Sequence, residues 1–193
     1  MNSITDLIYN RRTVRRFQPR RIAFSSLKSI VDSGRLAPSG ANLQPLEFIV
    51  VDDDEIIGNL FPHTQWAGYL PEKDGRPPQG QEPTAYIVVL LNRNIRAQGG
   101  ERDVGAAIEN MILIALDEDI GSCWLGSINR EAIEKLLNIP PSYDIDSVLA
   151  LGYAAEHPIM EPSSDSIKYY KDESGVLHVP KRPLDNVLHH NTF

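Results

Sequence analysis

Ala85-Tyr86-Ile87-Val88-Val89-Leu90-Leu91 is continuously apolar and rich in β-branched residues. A strand with one wet face alternates polar and apolar residues. This one does not, so it is expected at the centre of a sheet covered on both sides. Downstream, Glu101 to Asp119 carries Val104, Ala107, Ile108, Met111, Ile112, Ala115 and Leu116 at i, i+3, i+4 spacing over four turns. Ala106, Leu113 and Ile114 widen that stripe to most of the circumference, so the helix is expected to be buried by its own domain or by a partner. Gly105, Ala106 and Ala107 would admit a second helix closely, and Gly121 is placed to end the helix. Upstream, Pro62 to Pro83 has eight prolines and glycines and no periodicity. A loop of that length is expected to be a lid or binding loop unless it is disordered, with Trp66 and Tyr69 packing part of it down.

Outward from this centre, further elements alternate. Ser3 to Arg11 reads as a short helix with Ser3 and Asp6 as a capping box and Ile4, Leu7 and Ile8 as its buried stripe. Phe24 to Leu36 reads as a second helix, capped by Ser25 or Ser26, with Leu27, Ile30, Val31 and Leu36 on one face. Strands are expected at Phe48–Val51, around Ser122–Ser127 and at Asp146–Tyr153. Short helices are expected at Ile56–Phe61 and Arg130–Leu137, and a hairpin around Glu173-Ser174-Gly175. Several strands separated by helices make an α/β or α+β sheet protein, taken as one domain over residues 1–193 with an irregular insert at 62–83.

Bulk composition narrows the chemistry. Of 193 residues, 41% are hydrophobic and 23% charged, and no apolar run reaches the length of a membrane span. The start lacks a signal-peptide pattern and Cys123 is the lone cysteine, so a reducing cytoplasm is expected. The net charge of −7 disfavours nucleic acid and anionic membrane as partners. The five histidines show no metal-ligand spacing, and Asp52-Asp53-Asp54-Glu55 reads as a solvated turn, so no metal is expected. No phosphate-binding glycine loop or nucleophile elbow is present. Cys123, beside Trp124, reads as an inert buried thiol, and Glu156-His157 as surface.

Two basic groups remain: Arg11, Arg12 and Arg15 near the start, and Lys181-Arg182 between two prolines near the end. Arginine forks bind phosphate oxygens bidentately, so the two groups would form a phosphate pocket if the fold joins them. The alternative is that Arg11 to Arg16 only decorate a helix end. The connection Leu36 to Phe48 holds Pro38, Ser39, Gly40, Asn42, Gln44 and Pro45. It is stiff, with Gly40 and Asn42 suited to left-handed backbone, and its amides suit the edge of a flat heterocycle.

These segments carry a resemblance. Arg11-Arg12-Thr13-Val14-Arg15-Arg16-Phe17 resembles the R-R-S-x-R-x-F signature of the FMN-dependent nitroreductase family. Ala37-Pro38-Ser39-Gly40-Ala41-Asn42-Leu43-Gln44-Pro45 resembles its A-P-S-x-x-N-x-Q-P loop. Gly121-Ser122-Cys123-Trp124-Leu125-Gly126, Leu151-Gly152-Tyr153 and Pro180-Lys181-Arg182-Pro183-Leu184 follow in family order. The resemblance implies an α+β fold, a mixed and mainly antiparallel sheet flanked by helices, in an intertwined homodimer with FMN at the interface. It implies Arg11, Arg12 and Arg15 at the FMN phosphate or pyrimidine edge, with Thr13 nearby and Lys181 and Arg182 completing the phosphate site. Pro38, Ser39, Gly40, Asn42 and Gln44 would come from the partner subunit. Leu125, Gly126 and Ser127 would lie along the ring, with the Gly126 N–H near N5, and Gln65 would stand in for the family's pyrimidine-binding asparagine. The activity implied is transfer of reducing equivalents from NADH or NADPH through FMN to a nitroaromatic, quinone or similar small acceptor, with no catalytic side chain. The alternatives are a flavin-binding protein without turnover, a specialised relative such as a reductive dehalogenase, and an interaction protein without flavin. Thr13 for serine, Leu46 for tryptophan and Ala154 for proline depart from the family pattern.

Overall fold

The computed structural model describes residues 3–193. Four antiparallel strands form the main sheet in the order β1-β2-β4-β3: β1 (Leu46–Val51), β2 (Ala85–Asn92), β4 (Tyr143–Tyr153) and β3 (Ile120–Leu125). β2 is buried at all its positions, as its unbroken apolar run requires. Its side chains alternate between two layers. Ala85, Ile87, Val89 and Leu91 meet α2 (Phe24–Arg35) and α5 (Glu101–Asp117) through Leu27, Ile30, Val104, Ile108 and Met111. Tyr86, Val88 and Leu90 meet α3 (Asp54–Leu60) and α6 (Arg130–Leu137) through Ile57, Leu60 and Ile133. A register shift between Val89 and Leu90 against β4 changes the parity there. It brings Ile145 onto the same side as Val148.

Helix ends differ from the expected ones where packing overrides local signals. The Ser3–Asp6 capping box opens α1 (Ile4–Asn10), but only Leu7 of its stripe is buried and Ile4 and Ile8 lie on the surface. The N-cap of α2 is Ala23, with no side-chain bond, rather than Ser25 or Ser26, and Leu36 is exposed. α5 ends at Asp117, through Glu118 and a left-handed Asp119 (φ 59°), so Gly121 is not its terminator. Gly121 sits inside β3, where a Cβ would stand 3.0 Å from the Cβ of Val14. Its lack of a side chain is spent on a close approach. On α5 one side is buried, whereas Leu113, Ile114 and Leu116 stay part-exposed and nothing lies within 4 Å of a Cβ built on Gly105.

The segment after α3 is ordered, with a 3-10 turn (Phe61–His63) and a four-residue helix, α4 (Glu72–Gly75). Buried Arg16 donates to the carbonyls of Asp74 (2.6 Å) and Gly75 (3.5 Å). The Arg76 guanidinium lies 4.2 Å over the Phe61 ring. The C-terminal region forms a second sheet, β5 (Ile159–Pro162), β7 (Leu177–Lys181) and β6 (Tyr170–Lys171), in which β7 runs parallel to β5 and antiparallel to β6. The β6–β7 connection is the expected hairpin, turned at Gly175 (φ 80°). Among the described residues no helix is long and apolar enough to cross a membrane.

Candidate functional site

The arginine motif is an extended segment laid beside β3. Thr13 makes a parallel bridge with Ser122, and the Val14 N–H donates to the Ser122 carbonyl (2.9 Å). Beyond it Phe17 bridges Ala154, and the Ala155 N–H donates to the Arg16 carbonyl (2.8 Å). Val14 and Phe17 point inward over Gly121 and Gly152, where a Cβ on Gly152 would stand 2.7 Å from Phe17 Cδ1. Two glycines of the sequence motifs are therefore seats for two apolar side chains of the arginine motif, and the arginines between them are held in register.

Each arginine has its own surroundings. Arg11 pairs with Glu109 of α5 (3.6 Å). Among the described residues the Arg12 side chain bonds only the Arg11 carbonyl. Burial, then the neighbouring Arg11 charge, holds the Arg12 guanidinium below its ordinary pKa. Among the described residues no carboxylate pairs with the Arg12 side chain, which leaves its charge for an anion. Both arginines line a groove of about 410 Å³ with Gln18, Arg20, Tyr153 and Glu156.

Arg15 faces a different cleft, of about 240 Å³, shared with Gln65, Trp66, Gly68, Leu125, Gly126 and Ser127. Its backbone N–H donates to Glu156 Oε1 (2.5 Å), and its guanidinium lies 5.0 Å from the centre of the Tyr169 ring. The buried Arg15 Nε makes no hydrogen bond. A buried donor without a partner is costly, which marks the place where a ligand acceptor would sit. Gln65 and Ser127 are brought together by pairing of the two loops. The Gln65 N–H donates to the Ser127 carbonyl (3.0 Å) and the Ser127 hydroxyl to Gln65 Oε1 (2.7 Å). Gly126 is exposed with open space on its Cβ side, and Leu125 turns its side chain into the core. Cys123 is buried in the wall of this cleft; burial pushes its thiol up to about 11, against the lowering effects of the Arg15 charge and of an Arg15 side-chain hydrogen bond. It is an inert thiol at neutral pH.

The loop at 38–45 lies elsewhere. Pro38, Ser39 and Gln44 line a third cleft with Asp103. Ala41, Asn42 and Gln44 hold positive φ (53°, 54° and 51°), whereas Gly40 does not. A Cβ on Gly40 would instead meet Arg96 Nη1 at 3.0 Å. This strained turn is tied by Ser39 Oγ, which accepts from the Gln44 N–H (3.0 Å), and by buried Asp103, which accepts from the Gly40 N–H (3.1 Å) and pairs with Arg96 (2.9 Å).

Lys181 and Arg182 are exposed at the end of β7, and Arg182 donates to the Asn186 carbonyl (2.7 Å). β6, which starts right after Tyr169, pairs Tyr170 with His178, so Lys181 lies about 10 Å further along β7.

Glu156 is no mere surface residue, because its carboxylate fixes the Arg15 backbone; His157 is exposed. Nothing in the local sequence could reveal that register. Asp103 had a signal: it shares the face of Ala107 and Met111 at i, i+4, i+8, an acid on an apolar stripe. Glu109 and Tyr169 had none. Among the described residues no cluster of His, Cys, Asp and Glu could hold a metal ion.

The model of the Nitroreductase family matches residues 8–153. A protein of Archaeoglobus fulgidus that carries the provisional name NADH dehydrogenase/NAD(P)H nitroreductase is 33% identical over 160 residues, 79% of this chain and 86% of its own. A Thermotoga neapolitana protein named iodotyrosine deiodinase is 24% identical over 185 residues, 88% of this chain and 98% of its own. A solved structure from Desulfovibrio desulfuricans, provisionally named a nitroreductase and in complex with FMN, superposes with a TM-score of 0.73 at 25% identity, over 100% of this chain and 99% of its own.

Proposed function

Because the chain belongs to the Nitroreductase family, we propose that it is an FMN-dependent NAD(P)H oxidoreductase acting on a small acceptor. The observation that carries this reading is the buried, unpartnered Arg15 Nε at a cleft shared with the bonded pair Gln65–Ser127 and the open Gly126. Donors and acceptors in that mixture suit the edge of a flavin ring.

In this reading Arg11 and Arg12 bind the FMN phosphate, and Lys181 and Arg182 close over it. Arg15 and Gln65 hold the pyrimidine edge. Thr13 keeps the arginine segment in register on Ser122. The Gly126 N–H and the Leu125 and Ser127 backbone line the ring. Pro38, Ser39, Gly40, Asn42 and Gln44 reach the FMN of a second copy, in a homodimer. Bound FMN supplies the two-electron chemistry, taking reducing equivalents from NADH or NADPH and passing them to an acceptor such as a nitroaromatic or a quinone. The Arg15 charge favours the electron-rich state of the ring. No acid, base or nucleophile of the chain is needed, which agrees with the inert thiol at Cys123.

The test is spectroscopic. The purified protein, loaded with FMN, is mixed anaerobically with NADH or NADPH, and the yellow absorbance is expected to bleach. Acceptors are then added in turn, a halogenated phenol among them because one relative is named a deiodinase. A yellow protein that never bleaches overturns the reductase reading. A colourless protein that takes up no FMN overturns the flavin reading as well.

A further inference from the structure

We propose that Tyr169 is a positioning residue that holds the Arg15 guanidinium in place for the flavin, a role that rests on the assignment of Arg15 to the FMN pyrimidine edge. Among the described residues no carboxylate pairs with the Arg15 side chain. Its guanidinium lies instead over the Tyr169 ring, 5.0 Å from the centroid. That ring is itself held by Tyr69. It packs on the Tyr69 ring (5.0 Å between centroids, 55° between planes), and its hydroxyl accepts from the Tyr69 N–H (3.3 Å). The next residue, Tyr170, is locked into β6 and stacks on His178 (4.8 Å, 13°). One half-buried ring therefore joins the arginine segment, the insert and the C-terminal sheet.

The choice of an aromatic anchor has a chemical consequence. A carboxylate holding Arg15 would cancel its charge and occupy its N–H groups. A π face fixes the cation by its quadrupole, leaving the full charge and the donors for a ligand. Tyr169 is thus suited to an arginine that must be both immobile and unneutralised.

The full-length protein tests this with three measurements: FMN affinity by flavin fluorescence quenching, the midpoint potential of the bound flavin by dye equilibration, and a thermal melt. Tyr169→Phe keeps the π face and the packing on Tyr69, loses only the long bond from the Tyr69 N–H, and is expected to stay within about 2-fold of the parent in affinity with little change in potential. Tyr169→Leu removes the π face and is expected to weaken FMN binding by about 2- to 30-fold and to make the potential more negative. Tyr169→Met, which keeps bulk against Tyr69, is expected to do the same and serves if the Leu variant melts early. In an Arg15→Met background the Tyr169→Leu change is expected to have no further effect on either quantity. Tyr169→Leu and Tyr169→Met proteins with the parent's affinity and potential overturn the proposal, as does an equal loss with Arg15 already removed. A parent that quenches no FMN fluorescence at all is a different result, and it strikes the flavin reading itself.

Discussion

Gly152→Ala should damage the site without touching it. The new methyl would stand 2.7 Å from Phe17 Cδ1 and 2.9 Å from Phe17 Cβ and Cγ. Carbon atoms prefer about 3.5–4.0 Å, so Phe17 would have to move by close to an ångström. It has nowhere to go. Its ring is wholly buried, its N–H donates to the Gln81 carbonyl (3.0 Å), and the neighbouring Gln18 N–H donates to the Tyr153 carbonyl (2.8 Å). The strain must pass into the backbone that carries Arg15 and Arg16. Overpacking of this kind costs about 1–3 kcal/mol, which for a chain of this size lowers the melting temperature by about 2–12 °C. The assay is a thermal melt with a parallel FMN titration, and both stability and affinity should fall. Gly121→Ala, at 3.0–3.1 Å from Val14, should show the same effect more mildly. Gly58→Ala is the control: it lies in α3 with nothing within 4 Å and should gain about 0.5–1 kcal/mol from helix propensity. Adding Phe17→Leu to Gly152→Ala should cost less than the two single changes summed, because the smaller side chain makes room. A Gly152→Ala protein that melts with the parent refutes the account of these glycines as seats.

Gly126→Ala should leave the melt unchanged, since its Cβ meets nothing in the chain, yet weaken FMN binding; equal binding would remove Gly126 from the ring's edge. Asp103→Ala should cost about 1–3 kcal/mol by orphaning the Gly40 N–H and removing the Arg96 ion pair, and proteolysis should then nick the 38–45 loop faster; an unchanged cleavage rate would show the loop is held by other means. The C-terminal sheet should depend on pH. A hydrogen bond to Glu161 first, and a second to Asp172, raise the His178 pKa, so His178 contributes fully below the ordinary value of 6.5 and loses its contribution as pH rises through the folded-state value. The Asp172 carboxyl is lowered, chiefly by the Val176 N–H, so its contribution is lost as pH falls through its own folded value. Between those limits the sheet is tightest. An NMR titration of the His178 ring with a midpoint at or below 6.5 would contradict this.

Much of the frame was legible because it depends on burial period. The unbroken run Ala85–Leu91 could only be a central strand, and the stripe of Glu101–Asp119 could only be a packed helix. What failed were boundaries and roles set by tertiary contact. Gly121 reads as a helix stop in one dimension, but its neighbour in space is Val14, over a hundred residues away in the chain. Ile4 and Ile8 follow a buried period, yet α5 covers only the Leu7 side within one chain. For the candidate site, residue types were legible and grouping was not. Gln65 and Ser127 were named from separate motifs, and only loop pairing shows that they are hydrogen-bonded. Arg11 and Arg15 look like one cluster in sequence. An extended backbone sends them to different clefts, with Tyr169 under one and Glu109 against the other.

The separation of the 38–45 loop from Arg15 sets the decisive test of how the site is assembled. α5 holds both parts: Asp103 in its first turn ties the loop, and Glu109, six residues and about 9 Å further along the axis, ties Arg11. The loop nevertheless lines a cleft without Arg11, Arg12 or Arg15. If it serves the FMN of a second copy, two damaged chains can repair each other. One chain carries Arg15→Met with an intact loop; the other carries Asn42→Asp with an intact Arg15. In a mixed dimer one site combines both defects, and the other combines neither. Random reassociation of equal amounts should restore about a quarter of all sites to full affinity, since half the dimers are mixed and each has one intact site. If each loop served its own chain, every site would keep one defect and mixing would restore nothing. FMN titration of the unfolded, mixed and refolded pair separates the two cases, and each single variant refolded alone supplies the baseline.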